Sequence, residues 1–319
     1  MSGAIATSQR TLLSEFADRD LLQELLADKK SPATRRAYAK DLRDFFRTIA
    51  EAVPSPELIR EFLSLDRFAA TSLVLKYKSI LVDKNLAEAT INRRLAAVKS
   101  LVNYARKVGK CEWSLGDIRG EKVKPYRDTS GVDVMAFKRM LAIPNRQTRA
   151  GKRNYALLRL LWENALRRGE VSRANLGDFD PDGGKLRIFG KGRGQQAEAV
   201  SLSPRAIAAL SEWHESYGLT NPEAPLFCAL DKVSSGHRLS TTSIYRIVRA
   251  IATEAGIKKV ISPHRIRHSA ITAALDSTQG DVRRVQRLSR HAKLDTLILY
   301  DDNRQDLQGD VSQVLSDLV

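Results

Sequence analysis

A tyrosine near the end of the chain follows a group of basic residues that suit phosphate chemistry. Tyr300 comes nine residues after His291, and an earlier stretch reads His264-Arg265-Ile266-Arg267. The phenol of a tyrosine can act as a nucleophile, while guanidinium and imidazole groups can hold phosphate oxygens and move protons. Such a set could break a phosphodiester without a metal and hold the broken end covalently on Tyr300.

Three of the five histidines lie in this basic part of the chain. Ser262-Pro263 predicts the start of a helix, which places His264, Arg267 and His268 on one face of its first turns. The free N–H groups at a helix N-terminus attract anions. The pattern therefore predicts a phosphate-sized pocket.

A metal site and a structural histidine are the alternatives for the same residues. His264 and His268 have the spacing of a zinc-peptidase pair, but no glutamate follows the first histidine, and Arg265 and Arg267 would repel a dication. We therefore predict no metal site and no cofactor. For His268 alone, a role in the core remains an open interpretation.

Two further basic residues lie upstream. Arg167 ends a strongly apolar helix predicted from about residue 153 to 167, so it marks either a polar site or a helix C-terminus that favours cations. Glu170, three residues later, could orient a catalytic arginine or histidine from behind.

Lys191 lies between two glycines at the tip of a hairpin predicted from the strands 185–189 and 197–202. Such a lysine is usually solvated, but its flanks would let it deliver a proton into a cleft.

The N-terminal hundred residues have a helical pattern with basic rows on two helices. One helix begins at Ser31-Pro32 and the other runs from about 89 to 108, each with an apolar face. The basic rows are interpreted as DNA contacts, with a solvated helix surface as the alternative. The residues predicted to contact DNA are Arg36, Lys40, Arg43 and Arg47 on the first helix and Asn92, Lys99 and Arg106 on the second.

Composition favours a polyanionic partner and two domains. The 319 residues carry a net charge of +16, spread over both halves of the chain, and 43% are hydrophobic. Released counterions drive such a chain onto phosphates, although a generally basic surface is the alternative. Two cysteines exclude a disulfide framework, and the lack of a signal peptide or long apolar span predicts a cytoplasmic protein without membrane contact. The predicted domains are residues 1–118 and 132–319, joined by a charged linker at 119–131.

These motifs resemble a known family. The series Leu166-Arg167-x-x-Glu170, Gly190-Lys191-Gly192, His264-x-x-Arg267-His268-Ser269, His291 and Tyr300 resembles the tyrosine recombinase/integrase family, most closely its simple Xer-type members. The resemblance covers roughly residues 30 to 305. It implies a mainly α fold with a small antiparallel β-sheet, arranged as a two-domain clamp. An all-helical core-binding domain would precede an α+β catalytic domain of the tyrosine recombinase type.

The resemblance also implies a role for each residue. Tyr300 would attack the scissile phosphate to form a 3′-phosphotyrosyl bond, while Arg167 and Arg267 bind the non-bridging oxygens. His264 would accept the proton of the tyrosine or donate to the phosphate, and His291 would add a hydrogen bond. Lys191 would protonate the leaving 5′-oxygen, and neither metal nor ATP would be needed. Glu170 and His268 would support these groups.

The implied partner is double-stranded DNA with paired half-sites. A homotetramer on two such sites would exchange strands through a Holliday junction, with the C-terminal helix at 306–319 docked on the neighbouring protomer. A helix packed on its own domain is the alternative for this segment. The implied origin is a bacterium, an archaeon, a phage or a mobile element.

The chain departs from the family pattern at two glycines. Members usually carry glycine where this chain has Ala165 and again where it has Arg290, which adds positive charge beside His291. Two other classes of protein remain open, namely a non-catalytic DNA-binding regulator and a type IB topoisomerase that only relaxes DNA.

Overall fold

The computed structural model describes residues 20–123, 131–190, 197–218, 220–292, 294, 297–298 and 307–318. The chain folds as two compact units, Met1–Tyr126 and Arg127–Val319. The boundaries predicted at 118 and 132 stay a prediction, because residues 124–130 lie outside the described residues.

The described part of the first unit is helical. Its helices are α1 (Leu21–Asp28), α2 (Pro32–Ala50), α3 (Pro56–Ser64), α4 (Arg67–Asp83) and α5 (Glu88–Lys107). Proline opens α2 and α3, where its missing N–H leaves no hydrogen bond unmade. Aromatic rings fill the core, with the Phe45 ring centroid 5.1 Å from Phe46 and from Tyr77 in edge-to-face contacts.

The described part of the second unit combines helices with one small sheet. Its helices are α6 (Val134–Ala142), α7 (Arg149–Glu163), α8 (Arg168–Arg173), α9 (Pro204–Tyr217), α10 (Thr241–Glu254), α11 (Pro263–Ser277), α12 (Val282–Ser289) and α13 (Leu307–Ser316). Serine hydroxyls cap three of them, since Ser203, Ser240 and Ser262 each accept a backbone N–H in the first turn.

The sheet contains the predicted hairpin and one additional strand. The strands β1 (Phe179–Asp180), β2 (Lys185–Phe189) and β3 (Ala197–Ser201) pair antiparallel in that order. In β2 the side chains of Leu186 and Ile188 are buried while Arg187 is exposed, as alternation requires. A mainly α fold with a small antiparallel sheet is therefore confirmed.

The helix predicted to reach Arg167 ends earlier. α7 stops at Glu163, because Ala165 has a left-handed φ of 46° that a right-handed helix cannot accommodate. Arg167 instead lies at the N-cap of the short helix α8. It is thus at the start of a helix and not, as one interpretation held, at a C-terminus.

No helix among the described residues is long and apolar enough to cross a membrane.

Candidate active site

The first turns of α11 place three of the predicted residues together. His264 is exposed and His268 is 5% exposed, and their Nε2 atoms lie 2.8 Å apart. Across this contact one ring donates a proton and the other accepts it. His268 therefore packs in the core and also supports His264.

Arg267, on the same helix, ties together two distant segments. Its guanidinium is 1% exposed and donates from Nη1 to the carbonyl of Ala165 and from Nη2 to the carbonyl of Ser289. The same Nη2 lies 3.3 Å from Nε2 of His291. Arg267 forms the buried floor of the site.

Arg167 lies at the N-cap of α8, where the helix dipole disfavours a cation. Glu170 offsets this charge, because its Oε1 accepts from Nη1 of Arg167 at 2.8 Å and its Oε2 accepts from the Arg167 backbone N–H, also at 2.8 Å. The Arg167 side chain remains 35% exposed. The guanidinium is therefore held from behind by Glu170 and remains partly accessible to solvent.

Glu170 also forms an ion pair with a second arginine, Arg290, which was not predicted to be part of the site. Nη2 of Arg290 lies 3.0 Å from Oε2 of Glu170, and both side chains are buried. Burial alone would raise the pKa of the Glu170 carboxyl, but the charge of Arg290 and the hydrogen bonds from Arg167 outweigh it and lower that pKa. The signal for Arg290 in the sequence is a charged residue at a glycine position.

His291 follows Arg290 directly and faces several cations. Its pKa is lowered to about 4, first by burial and then by positive charge nearby, so the ring is neutral at pH 7. The groups that exert this effect are Arg267, Arg167, Arg290 and His264. The structure thus brings Arg167, His264, Arg267 and His291 into one site from three separate segments.

The remaining two predicted catalytic residues are Lys191 and Tyr300. Both lie outside the described residues, as does the hairpin tip from 191 to 196. Their roles stay predictions. Within the described ranges, no group of three or more histidine, cysteine, aspartate or glutamate residues is placed to hold a metal ion.

The residues predicted to contact DNA divide into two sets. Arg36, Lys40, Arg43 and Arg47 are exposed on α2, and Arg106 is exposed on α5. Asn92 and Lys99, also on α5, are half-buried and engaged with the chain that follows the helix. Asn92 exchanges two hydrogen bonds with the backbone of Glu121, at 2.9 and 2.7 Å, and Lys99 donates to the carbonyl of Ile118.

Comparisons with known proteins match both parts of the chain to one family. The phage integrase family matches residues 133–306, and the phage integrase N-terminal SAM-like domain matches residues 19–109. A tyrosine recombinase of Synechocystis sp. is 52% identical over 303 residues, which cover 95% of this chain and 96% of that protein. A tyrosine recombinase of Synechococcus elongatus is 49% identical over 319 residues, which cover 100% of both.

A solved structure has the same fold. The XerH site-specific recombinase bound to palindromic difH substrate gives a TM-score of 0.64 at 21% identity, with 88% of this chain and 80% of that chain covered. The chain therefore belongs to the phage integrase family of tyrosine recombinases.

Proposed function

We propose that the protein is a site-specific DNA recombinase that cleaves and rejoins strands through Tyr300. The observation that carries this proposal is the arrangement around His291. That ring lies 3.3 Å from Arg267 and experiences the charges of Arg167 and His264. Four of the six predicted catalytic residues therefore share one cationic site, although Arg167 lies far upstream of the others in the chain.

The proposed chemistry is a transesterification. The Tyr300 phenol attacks the scissile phosphorus, a P–O bond to tyrosine forms at the 3′ side, and the bond to the 5′-oxygen breaks. His264 accepts the phenol proton, and Lys191 gives a proton to the leaving 5′-oxygen. Arg167 and Arg267 offset the charge that grows on the non-bridging oxygens, and His291 adds a hydrogen bond. One phosphodiester replaces another of similar energy, so the step uses no ATP. The two arginines, the lysine and the imidazoles supply the charge stabilisation that a metal would otherwise give.

The proposed partner is duplex DNA with two inverted half-sites. The exposed residues Arg36, Lys40, Arg43, Arg47 and Arg106 form a basic surface on the first unit that suits the phosphate backbone. Four protomers on two sites would exchange strands through a Holliday junction. We place this reaction in a bacterial cytoplasm, in line with the two relatives, which are tyrosine recombinases of Synechocystis sp. and Synechococcus elongatus.

A suicide substrate tests this function. Duplexes bound by the protein are first selected from a randomised pool, and the selected site is then made with a nick beside the cleavage position. The nick lets a short fragment diffuse away, so the covalent intermediate accumulates. We expect a protein–DNA adduct that resists denaturant and that is transferred to a second, different duplex carrying the site.

The outcomes separate the competing classes. Binding without any adduct would contradict the proposal and identify a non-catalytic regulator. An adduct that reseals only its own strand, with relaxation of supercoiled DNA and no transfer, would instead identify a topoisomerase.

A further inference from the structure

Arg290 occupies a backbone conformation that favours glycine. It is the C-cap of α12, with φ of 55° and ψ of 38°, and its N–H donates to the Gln286 carbonyl at 2.7 Å. Residues other than glycine rarely adopt this left-handed backbone conformation, because their Cβ crowds the following carbonyl. An arginine at this position therefore calls for contacts that offset the strain.

The Arg290 side chain makes such contacts. It is 5% exposed, and its Nη1 donates to the carbonyls of Asn164 at 3.2 Å and Leu288 at 2.9 Å. Its Nη2 donates to Glu170 at 3.0 Å. One buried guanidinium thus connects the end of α7, the first turn of α8 and the end of α12.

Arg290 and Arg267 hold the same two segments. Arg267 binds the carbonyls of Ala165 and Ser289, while Arg290 binds the carbonyls immediately before them in each segment. One segment leads into Arg167 and the other into His291. The backbone that carries both groups is therefore fixed by two arginines.

Arg290 also determines how Glu170 serves Arg167. Oε2 of Glu170 accepts from Arg290, which leaves Oε1 for the single Nη1 contact with the Arg167 side chain. Without Arg290, the whole carboxylate charge would act on Arg167. Because the Glu170 charge is divided between two arginines, Glu170 competes less strongly with a bound phosphate for the Arg167 guanidinium.

We propose that Arg290 is a positioning residue for strand cleavage, because it shares Glu170 with Arg167 and fixes the backbone that presents His291. The inference rests on the proposed function. Arg290 acts through these neighbours, to which both terminal nitrogens of its guanidinium are bound.

Arg290 is also one of the cations that keep His291 neutral. Among the described residues, the charged or titratable groups that act on the ring include Arg267, Arg167, Arg290 and His264, and the Glu170 carboxylate lies behind Arg167 and Arg290. Loss of the Arg290 charge removes a repulsion and leaves Glu170 less compensated. Both changes raise the pKa of His291.

The test compares Arg290→Met with Arg284→Met, a matched loss of an exposed arginine on the same helix. Three quantities are measured on the full chain, namely DNA affinity, the single-turnover rate of adduct formation from pH 5 to 9, and the titration of His291 by NMR of labelled histidine. A His291→Gln spectrum assigns the signal.

For Arg290→Met we expect adduct formation about 10- to 100-fold slower at unchanged DNA affinity. The His291 pKa should rise above that of the wild type, and Arg290→Lys should restore part of the rate.

Equal rates and equal His291 titrations in Arg290→Met and Arg284→Met would overturn the inference. If Arg290→Met does not fold, Arg290→Gly replaces it, since glycine adopts this φ without strain, and thermal unfolding confirms its fold. A folded Arg290→Gly that cleaves at the wild-type rate would likewise overturn it. Failure of the wild type itself to form an adduct would overturn the proposed function and this inference together.

Discussion

At the residue scale, the site depends on one carboxylate that compensates two arginines. Glu170 is 1% exposed, and it accepts from the Arg167 backbone, the Arg167 side chain and Arg290. Removing one partner of a buried ion pair is costly because a charge remains buried without compensation. The ion pair with Glu170 explains how Arg167 can lie at the N-terminus of a helix, where a cation is otherwise unfavourable.

The prediction from this arrangement concerns Glu170→Gln. The amide keeps the shape of the side chain but not its charge, so we expect the second unit to lose about 3 kcal/mol of unfolding free energy. Calorimetric unfolding measures the loss, with Glu61→Gln, an exposed site on α3, as the matched control. Unfolding of Glu170→Gln at the temperature of the control would contradict the account.

At the element scale, local signals in the sequence predicted the starts of several helices and the hairpin. Ser-Pro pairs and alternating apolar residues act within a few positions, so Ser262-Pro263 and the strand 185–189 were predicted correctly. The end of α7 was not, because the left-handed Ala165 is held by Arg267, about a hundred residues later. The Arg290–Glu170 pair was missed for the same reason, since no local pattern records a long-range contact.

The second element-scale feature is a clasp between α5 and the chain that follows it. Asn92 pairs with Glu121 in both directions, and Lys78 on α4 donates to the Arg119 carbonyl at 3.0 Å. An added Cβ at Gly120 would lie 2.3 Å from Oδ1 of Asn92, so a larger residue there would displace the Asn92 side chain. Asn92 was predicted to contact DNA, and the clasp gives it a competing structural role.

The clasp and the DNA contact make different predictions for Asn92→Ala. If the clasp dominates, amide hydrogen exchange at Glu121 becomes faster while DNA affinity stays close to that of the wild type. Asn103→Ala, an exposed asparagine on the same helix, serves as the control and should change neither. Weaker DNA binding with unchanged exchange at Glu121 would favour the original interpretation.

At the scale of the whole molecule, the C-terminal helix α13 presents an apolar surface. On α13, Val311, Val314 and Leu315 are between 58% and 60% exposed at helical spacing, and Leu318, just beyond the helix, is 75% exposed. An exposed apolar cluster of this kind marks an interaction site. In the proposed tetramer this surface docks on the neighbouring protomer.

The double substitution Val314→Ser/Leu315→Ser tests that docking. It removes apolar area without deleting the helix, so we expect single-site DNA binding to persist while complexes that hold two DNA sites are lost. Gel mobility with one and two labelled duplexes separates these complexes, and Gln313→Ser on the same helix is the control. Normal two-site complexes in the double variant would show that α13 does not carry assembly.

The central claim is that Tyr300 is the nucleophile of the cationic site. The most direct measurement is trapping on the nicked substrate with the wild type, Tyr300→Phe and Tyr245→Phe, a matched loss of one phenol elsewhere in the second unit. We predict that all three bind the duplex and that the wild type and Tyr245→Phe form the covalent adduct. Tyr300→Phe should form none, and peptide mapping of the wild-type adduct should place the DNA on Tyr300. A covalent adduct that persists in Tyr300→Phe would contradict the account.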